Sequence, residues 1–173
     1  MKKSLVIPAV FLVLTFITGF INPAAAGEEN AQKTICVLFD DGVDASLNDR
    51  QAQAQTDLAK WMNNNLVRVF AHYAKAGFEG KFLQKRQDYK ASSDNYLLVV
   101  KITDYNPGSK AARIVVGFGA GGSSIKIHYE LFAGSNMILA KDDSAFSGSG
   151  WMAVARKLNK NTAKAVTEKL KNK

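Results

Sequence analysis

The sequence predicts a single α/β domain of the α+β type, in which two helices pack on one face of a mainly antiparallel sheet of about five or six strands. Three observations lead to this prediction. Apolar and polar residues alternate between residues 95 and 132, and turn residues interrupt the alternation twice at even spacing. Two longer segments, one on each side of this region, place their apolar residues at helical spacing. The length of 173 residues is typical of one domain.

The N-terminus has the three parts of a secretory signal peptide. Lys2 and Lys3 supply positive charge, an apolar run extends from Leu5 to Ile21, and the alanines at 24–26 are suited to a cleavage site. An uncleaved membrane anchor is the alternative, since the run is slightly long for a signal peptide. Because no cysteine directly follows the run, no lipid anchor is predicted. We expect the mature protein in the periplasm or outside the cell.

The signal peptide sets the predicted domain boundaries. We expect residues 1–26 to be removed, residues 27–33 to be unstructured and residues 34–173 to form the domain. The whole chain has a formal net charge of +8 and stays basic without its leader. Cys36 is the only cysteine, so an internal disulfide is excluded, and its apolar run predicts a short buried strand over 34–39. A disulfide to another chain is the alternative to core packing.

A long helix is predicted from Ser46 to about Ala76. Ser46 can cap its first turn together with Asp49, and Gly77 suits the left-handed residue that ends a helix. Its apolar residues fall on one side, which we expect to lie on the sheet. They are Leu47, Ala54, Leu58, Trp61, Met62, Leu66, Val69, Phe70 and Tyr73.

The strands follow this helix. A short edge strand is predicted near 82–89, where aromatic and basic residues are interleaved. Short turns, most of them rich in glycine, join four further strands, so we expect a meander of antiparallel hairpins with one face under the helices and the other partly exposed. The four strands are predicted over residues 95–104, 112–118, 124–132 and 136–146.

A second helix is predicted from Gly150 to the C-terminus, with Ser149 as its cap. Its apolar side is expected to cover the sheet. Lys157, Lys160 and Lys164 fall on the opposite side. This basic side is either an ordinary solvated surface or a contact with an anionic surface.

No motif predicts a catalytic residue, a metal ion or a cofactor. Residues 117–122 match the G-x-G-x-x-G fingerprint of dinucleotide sites, but a strand follows them where that fingerprint requires a helix. His72 and His128 lack the spacing of a metal-binding pair, and no serine lies in a G-x-S-x-G turn. An exported protein rarely meets nucleic acid, so no nucleic-acid partner is predicted.

The segment Arg113-Ile-Val-Val-Gly-Phe-Gly-Ala-Gly121 resembles the R-x-x-x-G-F-G-A-G signature of the domain of unknown function 4410 family. The order of elements over most of the mature chain is also similar to that of the family. The resemblance implies a bacterial envelope protein and brings no established activity, cofactor or catalytic residue. Many members are lipoproteins, whereas this chain lacks the cysteine that would carry the lipid.

The leading hypothesis is a non-catalytic module that binds another envelope protein. Its predicted contacts are the glycine turn and the arginine before it, because backbone without side chains allows close approach. These residues are Arg113, Gly117, Gly119, Gly121 and Gly122. The second hypothesis is peripheral binding to an anionic surface, such as lipopolysaccharide or an acidic polymer, through Lys157, Lys160 and Lys164. An unrecognised enzyme is the third, and the sequence predicts no oligomeric state.

Overall fold

The computed structural model describes residues 32–108 and 121–172. Five strands and two helices make up this part of the chain, together with 3₁₀ turns at 74–76 and 86–88. In chain order, the elements are β1 (Lys33–Asp40), α1 (Asp49–Ala71), β2 (Phe78–Phe82), β3 (Asn95–Asn106), β4 (Ser123–Ala133), β5 (Asn136–Ser147) and α2 (Trp151–Lys171).

The strands form one mixed sheet in the order β2-β1-β3-β4-β5. β1 lies parallel to both β2 and β3, whereas β3–β4 and β4–β5 are antiparallel. The α+β class is confirmed, and the prediction of a mainly antiparallel sheet was wrong. The reason is that α1 joins β1 to β2. A helix that crosses the face of a sheet returns the chain to the end where it started, so the two strands run in parallel.

The predicted meander was also wrong in its strand order. β3 pairs directly with β4, from Tyr96 opposite Ala133 to Asn106 opposite Ser124. The meander placed a strand over 112–118 between these two. The residues of that predicted strand lie outside the described part of the chain. The predicted hairpin between β4 and β5 is confirmed, because Ala133 pairs with Asn136 across a two-residue turn.

One face of the sheet holds the main core. Alternate residues of β3 and β4 are buried there, as the apolar alternation predicted. They are Tyr96, Leu98, Val100, Ile102, Ile125, Ile127, Tyr129 and Leu131. The same core contains, from the two helices, Leu58, Met62, Leu66, Phe70, Val154, Leu158, Val166 and Leu170. Both helices therefore pack on one face, as predicted.

The first turn of α1 is capped by Asn48, and the prediction of Ser46 was wrong. The Gln51 backbone N–H donates to the Asn48 side chain at 3.0 Å, and the Asn48 N–H donates to Gln51 Oε1 at 3.1 Å. This reciprocal pair is a capping box. Ser46 instead donates its backbone N–H to Asp44 Oδ1 at 2.8 Å, so it belongs to the preceding turn.

The other helix ends also differ from the prediction. α1 ends at Ala71, and the rest of its predicted length is a turn at 72–73 followed by the 3₁₀ turn at 74–76. Gly77 has a φ of 79°, so the left-handed residue stands where it was predicted. At the start of α2, Gly150 occupies the cap position and no side chain caps the helix, so the prediction of Ser149 was wrong.

The first edge strand is β2, so its predicted position at 82–89 was wrong. A Cβ on Gly80 would lie 3.0 Å from the backbone oxygen of Val67, which shows that α1 packs directly against β2. The segment that follows β2 folds over the opposite face of the sheet. There Leu83 forms a second apolar cluster with Cys36 and Leu97. Cys36 is buried, as predicted.

The burial of Tyr129 leads us to expect a loss of stability at alkaline pH. It is fully buried, and its hydroxyl has no hydrogen-bond partner among the described residues. Burial, reinforced by the charge of Asp143, raises its pKa from 10 to about 12. The folded state therefore holds the phenol proton more tightly than the unfolded chain does. The resulting stabilisation is complete below pH 10 and is lost as the pH rises to about 12.

We expect this loss to reach about 2.7 kcal/mol at most, measured as the free energy of unfolding in urea from neutral pH to pH 12. Tyr129→Phe lacks the titrating group and is the control. The free energy of unfolding of this variant should fall less over the same pH range. The difference between the two proteins should be about the loss expected from Tyr129. Equal pH dependence in the two proteins would contradict the prediction.

Candidate functional site

The predicted glycine site lies only partly within the described residues. Outside them fall Arg113, Gly117 and Gly119, and their binding role stays a prediction. Gly121 has a φ of 71°, which suits a turn. Gly122 is buried, and a Cβ there would lie 2.2 Å from the ring of Phe146. Gly122 therefore lies against Phe146, and the binding role of Gly121 and Gly122 stays a prediction.

The three predicted lysines lie on the outer side of α2. Lys157, Lys160 and Lys164 are all exposed. Lys164 Nζ lies 3.8 Å from Glu168 Oε1, one helical turn further on. No ion pair joins Lys157 or Lys160 to another residue within 32–108 or 121–172. The outer side of α2 therefore presents positive charge to the solvent.

A row of charged side chains crosses the sheet face that is opposite the two helices. The strand register places Asp40, Lys101, His128 and Asp142 side by side on β1, β3, β4 and β5. Lys101 Nζ lies 3.8 Å from Asp40 Oδ2, and His128 Nδ1 lies 2.8 Å from Asp142 Oδ1. The hydrogen bond with Asp142 raises the pKa of His128. The Asp142 side chain is 86% exposed, so water weakens this pair.

A cleft of about 520 Å³ opens where β1 and β2 end, beside α1. In open α/β sheets, ligands bind in the crevice outside the carboxyl ends of the parallel strands. Apolar and polar side chains both line it, and we call it the Asn63 cleft. Its lining includes Phe39, Asp41, Ala59, Lys60, Asn63 and Phe82.

Asn63 carries an unused hydrogen-bonding group. It lines the cleft although only 5% of its surface is exposed. Its Oδ1 has no partner, and no hydrogen bond joins its side chain to any other residue that the structure describes. A buried polar atom without a partner costs about 1–3 kcal/mol, and few are found in folded proteins. The Oδ1 of Asn159 on α2 is also buried without a partner, but Asn159 differs in that its Nδ2 donates to the Met62 backbone oxygen at 2.8 Å.

The cleft has a fixed polar side and an exposed aromatic ring. Gln55 Nε2 donates to the backbone oxygen of Asp41 at 2.7 Å, and Thr56 Oγ1 donates to Asp41 Oδ2 at the same distance. These bonds hold the loop after β1 against α1. Phe82, at the end of β2, is 47% exposed. The cleft can therefore contact both a polar group and an apolar group of the same ligand.

Sequence reasoning missed this cleft. A signal for it exists, because Asn63 lies one helical turn from both Ala59 and Leu66, on the apolar side of α1. A carboxamide at a buried helical position is unusual and has to find a partner. The pattern alone does not say whether that partner belongs to the protein or to a ligand.

Three further observations concern the chemistry of the described residues. In 32–108 and 121–172, no group of three or more His, Cys, Asp or Glu side chains is placed to hold a metal ion. Burial raises the pKa of the free Cys36 thiol, which makes it a weaker nucleophile near neutral pH. Neither α1 nor α2 is apolar enough along its length to cross a membrane.

Comparisons with known proteins identify a family and several similar folds. A family model described as a domain of unknown function (DUF4410) matches residues 21–168. No curated protein matches the chain.

Three solved structures illustrate the similar folds. The PelC dodecamer from Paraburkholderia phytofirmans is 13% identical, with a TM-score of 0.47 over 76% of this chain and 85% of that one. Lipoprotein GNA1162 from Neisseria meningitidis is 12% identical, with a TM-score of 0.42 over 82% and 99%. Protein XCC0632 from Xanthomonas campestris is 11% identical, with a TM-score of 0.39 over 81% of each chain. At these identities and TM-scores, the similarities support no conclusion about ligands, partners or assembly.

Proposed function

The chain belongs to the DUF4410 family, and from that premise we propose that it is a non-catalytic binding module of the bacterial cell envelope that holds a partner in the Asn63 cleft. The observation that carries the proposal is that Asn63, whose buried carboxamide oxygen has no partner, lines an open cleft. Proteins that break a local packing rule tend to do so at functional sites. The predicted signal peptide supports the envelope location.

The chemistry of the Asn63 carboxamide supports binding over catalysis. The carboxamide of Asn63 donates and accepts hydrogen bonds without exchanging protons near neutral pH. His128, the histidine with a carboxylate partner, lies on the open sheet face, where its hydrogen-bonded partner Asp142 is mostly exposed. Catalytic acids and bases are usually found in desolvated clefts.

Site-specific photo-crosslinking in cells tests this proposal. A photoreactive amino acid replaces Gln84, an exposed residue that lines the cleft. We expect a discrete crosslinked product after irradiation. The second substitution Asn63→Leu should abolish this product, because leucine has a similar shape and no hydrogen-bonding group.

A matched photoreactive residue at Lys157, on the outer side of α2, is the control. It should give no product that depends on Asn63. If the Gln84 position gives no product, or gives one that Asn63→Leu leaves unchanged, the Asn63 cleft is not the binding site.

A second candidate function is peripheral binding to an anionic surface through α2. The observation that favours it is the exposure of Lys157 and Lys160 without an ion-pair partner among the described residues. Several unpaired lysines on one helix side attract anionic lipids or polymers, and salt screens the attraction.

Replacing Lys157, Lys160 and Lys164 together by Gln tests this second function. Wild-type protein should float with vesicles that contain anionic lipid at low salt and should dissociate as salt is added. The triple variant should lose most of this binding, whereas Lys75→Gln, in the 3₁₀ turn that follows α1, should not. Equal flotation of the triple variant and the wild type would rule out α2 as the binding surface.

A further inference from the structure

We infer that the Asn63 cleft binds one extended residue of a partner polypeptide, whose backbone N–H and C=O groups both bond to the Asn63 carboxamide. This inference rests on the proposed function and names the chemical class of the partner. It is argued from the two hydrogen-bonding groups of Asn63, the apolar wall of the cleft and the charges at its rim.

The Asn63 side chain offers one acceptor and one donor group side by side. Its Oδ1 accepts and its Nδ2 donates, and no other residue of the described chain uses either group. In an extended polypeptide, the N–H and C=O groups of the same residue point to the same side, as they do when paired residues of antiparallel strands exchange two bonds. Such a residue satisfies both ends of the carboxamide at once.

The wall of the cleft accommodates the side chains that come with such a backbone. Phe39, Ala59 and Leu83 line it, and the exposed ring of Phe82 lies at its edge. An apolar side chain of the partner that covered Phe82 would remove this ring from water, which favours binding. A ligand that carries hydroxyl groups on all sides would place some of them against this apolar wall, where they find no hydrogen-bond partner.

The charges at the rim argue against a strongly anionic ligand. Lys60 and Arg86 line the cleft, but so do Asp40 and Asp41. A phosphate or an acidic polymer would meet both carboxylates as well as the cations. A polypeptide backbone is neutral, and its flanking side chains can match both signs.

Selection from a phage-displayed library of random short peptides on the purified protein tests the inference. Selection on the wild type, with counter-selection on Asn63→Leu, should enrich peptides that need Asn63. Each amide of the strongest peptide is then methylated in turn, which removes one N–H donor at a time. One methylated position should weaken binding to the wild type about tenfold, as expected for one lost hydrogen bond. The same methylation should leave the residual binding to Asn63→Leu unchanged.

Three outcomes overturn the inference. The first is a selection that yields no peptide dependent on Asn63. The second is a selected peptide for which no single methylation distinguishes the wild type from Asn63→Leu. The third is a shift of the Asn63 side-chain amide resonances on addition of an N-acetylglucosamine oligomer, which would assign the cleft to a sugar amide. In each case, a Gln84 crosslink that depends on Asn63 would still support the proposed function. If that crosslink were also absent, both the proposed function and this inference would be wrong.

Discussion

Replacing Gly42 by alanine is expected to lower the free energy of unfolding by roughly 2–5 kcal/mol. Gly42 has a φ of 68°, where a residue with a Cβ costs about 1–2 kcal/mol. A Cβ at this position would also lie 1.9 Å from the backbone oxygen of Ile102 and 3.2 Å from Gln55 Nε2. Backbone cannot move aside as a flexible side chain can, so overpacking adds about 1–3 kcal/mol. Urea unfolding of the two proteins measures the difference.

Gly134→Ala is the matched control. Gly134 has a similar φ of 62°, but no atom lies within 4 Å of the position that its Cβ would take. Only the backbone cost of about 1–2 kcal/mol should appear. Equal destabilisation by the two substitutions would mean that the loop at Gly42 moves away from Ile102 freely, and that the polar side of the cleft is not fixed.

Two asparagine substitutions of the same size are expected to change stability in opposite directions. Asn63→Leu removes a buried oxygen without a partner, so the free energy of unfolding should rise by about 1–2 kcal/mol. Asn159→Leu also removes such an oxygen, but it breaks the bonds from Nδ2 to the Met62 backbone oxygen at 2.8 Å and to Asn65 Oδ1 at 2.9 Å. The two lost bonds outweigh the removed oxygen, so the free energy of unfolding should fall by about 1 kcal/mol.

Urea unfolding of the two variants checks the difference in sign. A stable Asn63→Leu variant that no longer forms the Gln84 crosslink would separate binding from folding. If Asn63→Leu were as destabilising as Asn159→Leu, the Asn63 carboxamide would have a structural role, and the binding proposal would lose its main support.

Local patterns in the sequence predicted the faces of the elements well. The alternation from Tyr96 to Ile102 and from Ile125 to Leu131 matches the buried face of β3 and β4, because side chains of a strand alternate by geometry alone. Helical spacing likewise placed Leu58, Met62 and Leu66 on the buried side of α1. These patterns depend on neighbours in the chain, so they are readable without a structure.

Strand partners and cap residues were less predictable. Nothing local to residues 34–39 shows that β1 pairs with β2 on one side and β3 on the other, since those partners lie far along the chain. Ser46 and Asn48 are both suitable caps, and the choice depends on which turn precedes the helix. The charged residues after Phe82 obscured the edge strand, because its buried side consists of little more than Phe78 and Gly80.

The candidate site was least predictable. The binding role predicted for the lysines of α2 agrees with their exposure but is not tested by it. The Asn63 cleft is formed by the ends of β1 and β2 and one side of α1, three elements that meet only in the folded chain. The sequence shows that Asn63 is a polar residue on the apolar side of α1, but it does not show that the Asn63 side chain has no hydrogen-bond partner.

The central place of β1 also bears on the order in which the protein folds. β1 comes first in the chain among the described strands, yet Thr34 pairs with both Glu79 and Asn95. As the chain emerges during its synthesis, this apolar strand has no partner until most of the domain has followed, whereas β4 and β5 can form their hairpin as soon as both are present. Pairing between distant segments slows folding, so we expect the docking of β1 to be a late step. Until then, β1 is an unpaired apolar segment that needs protection from aggregation.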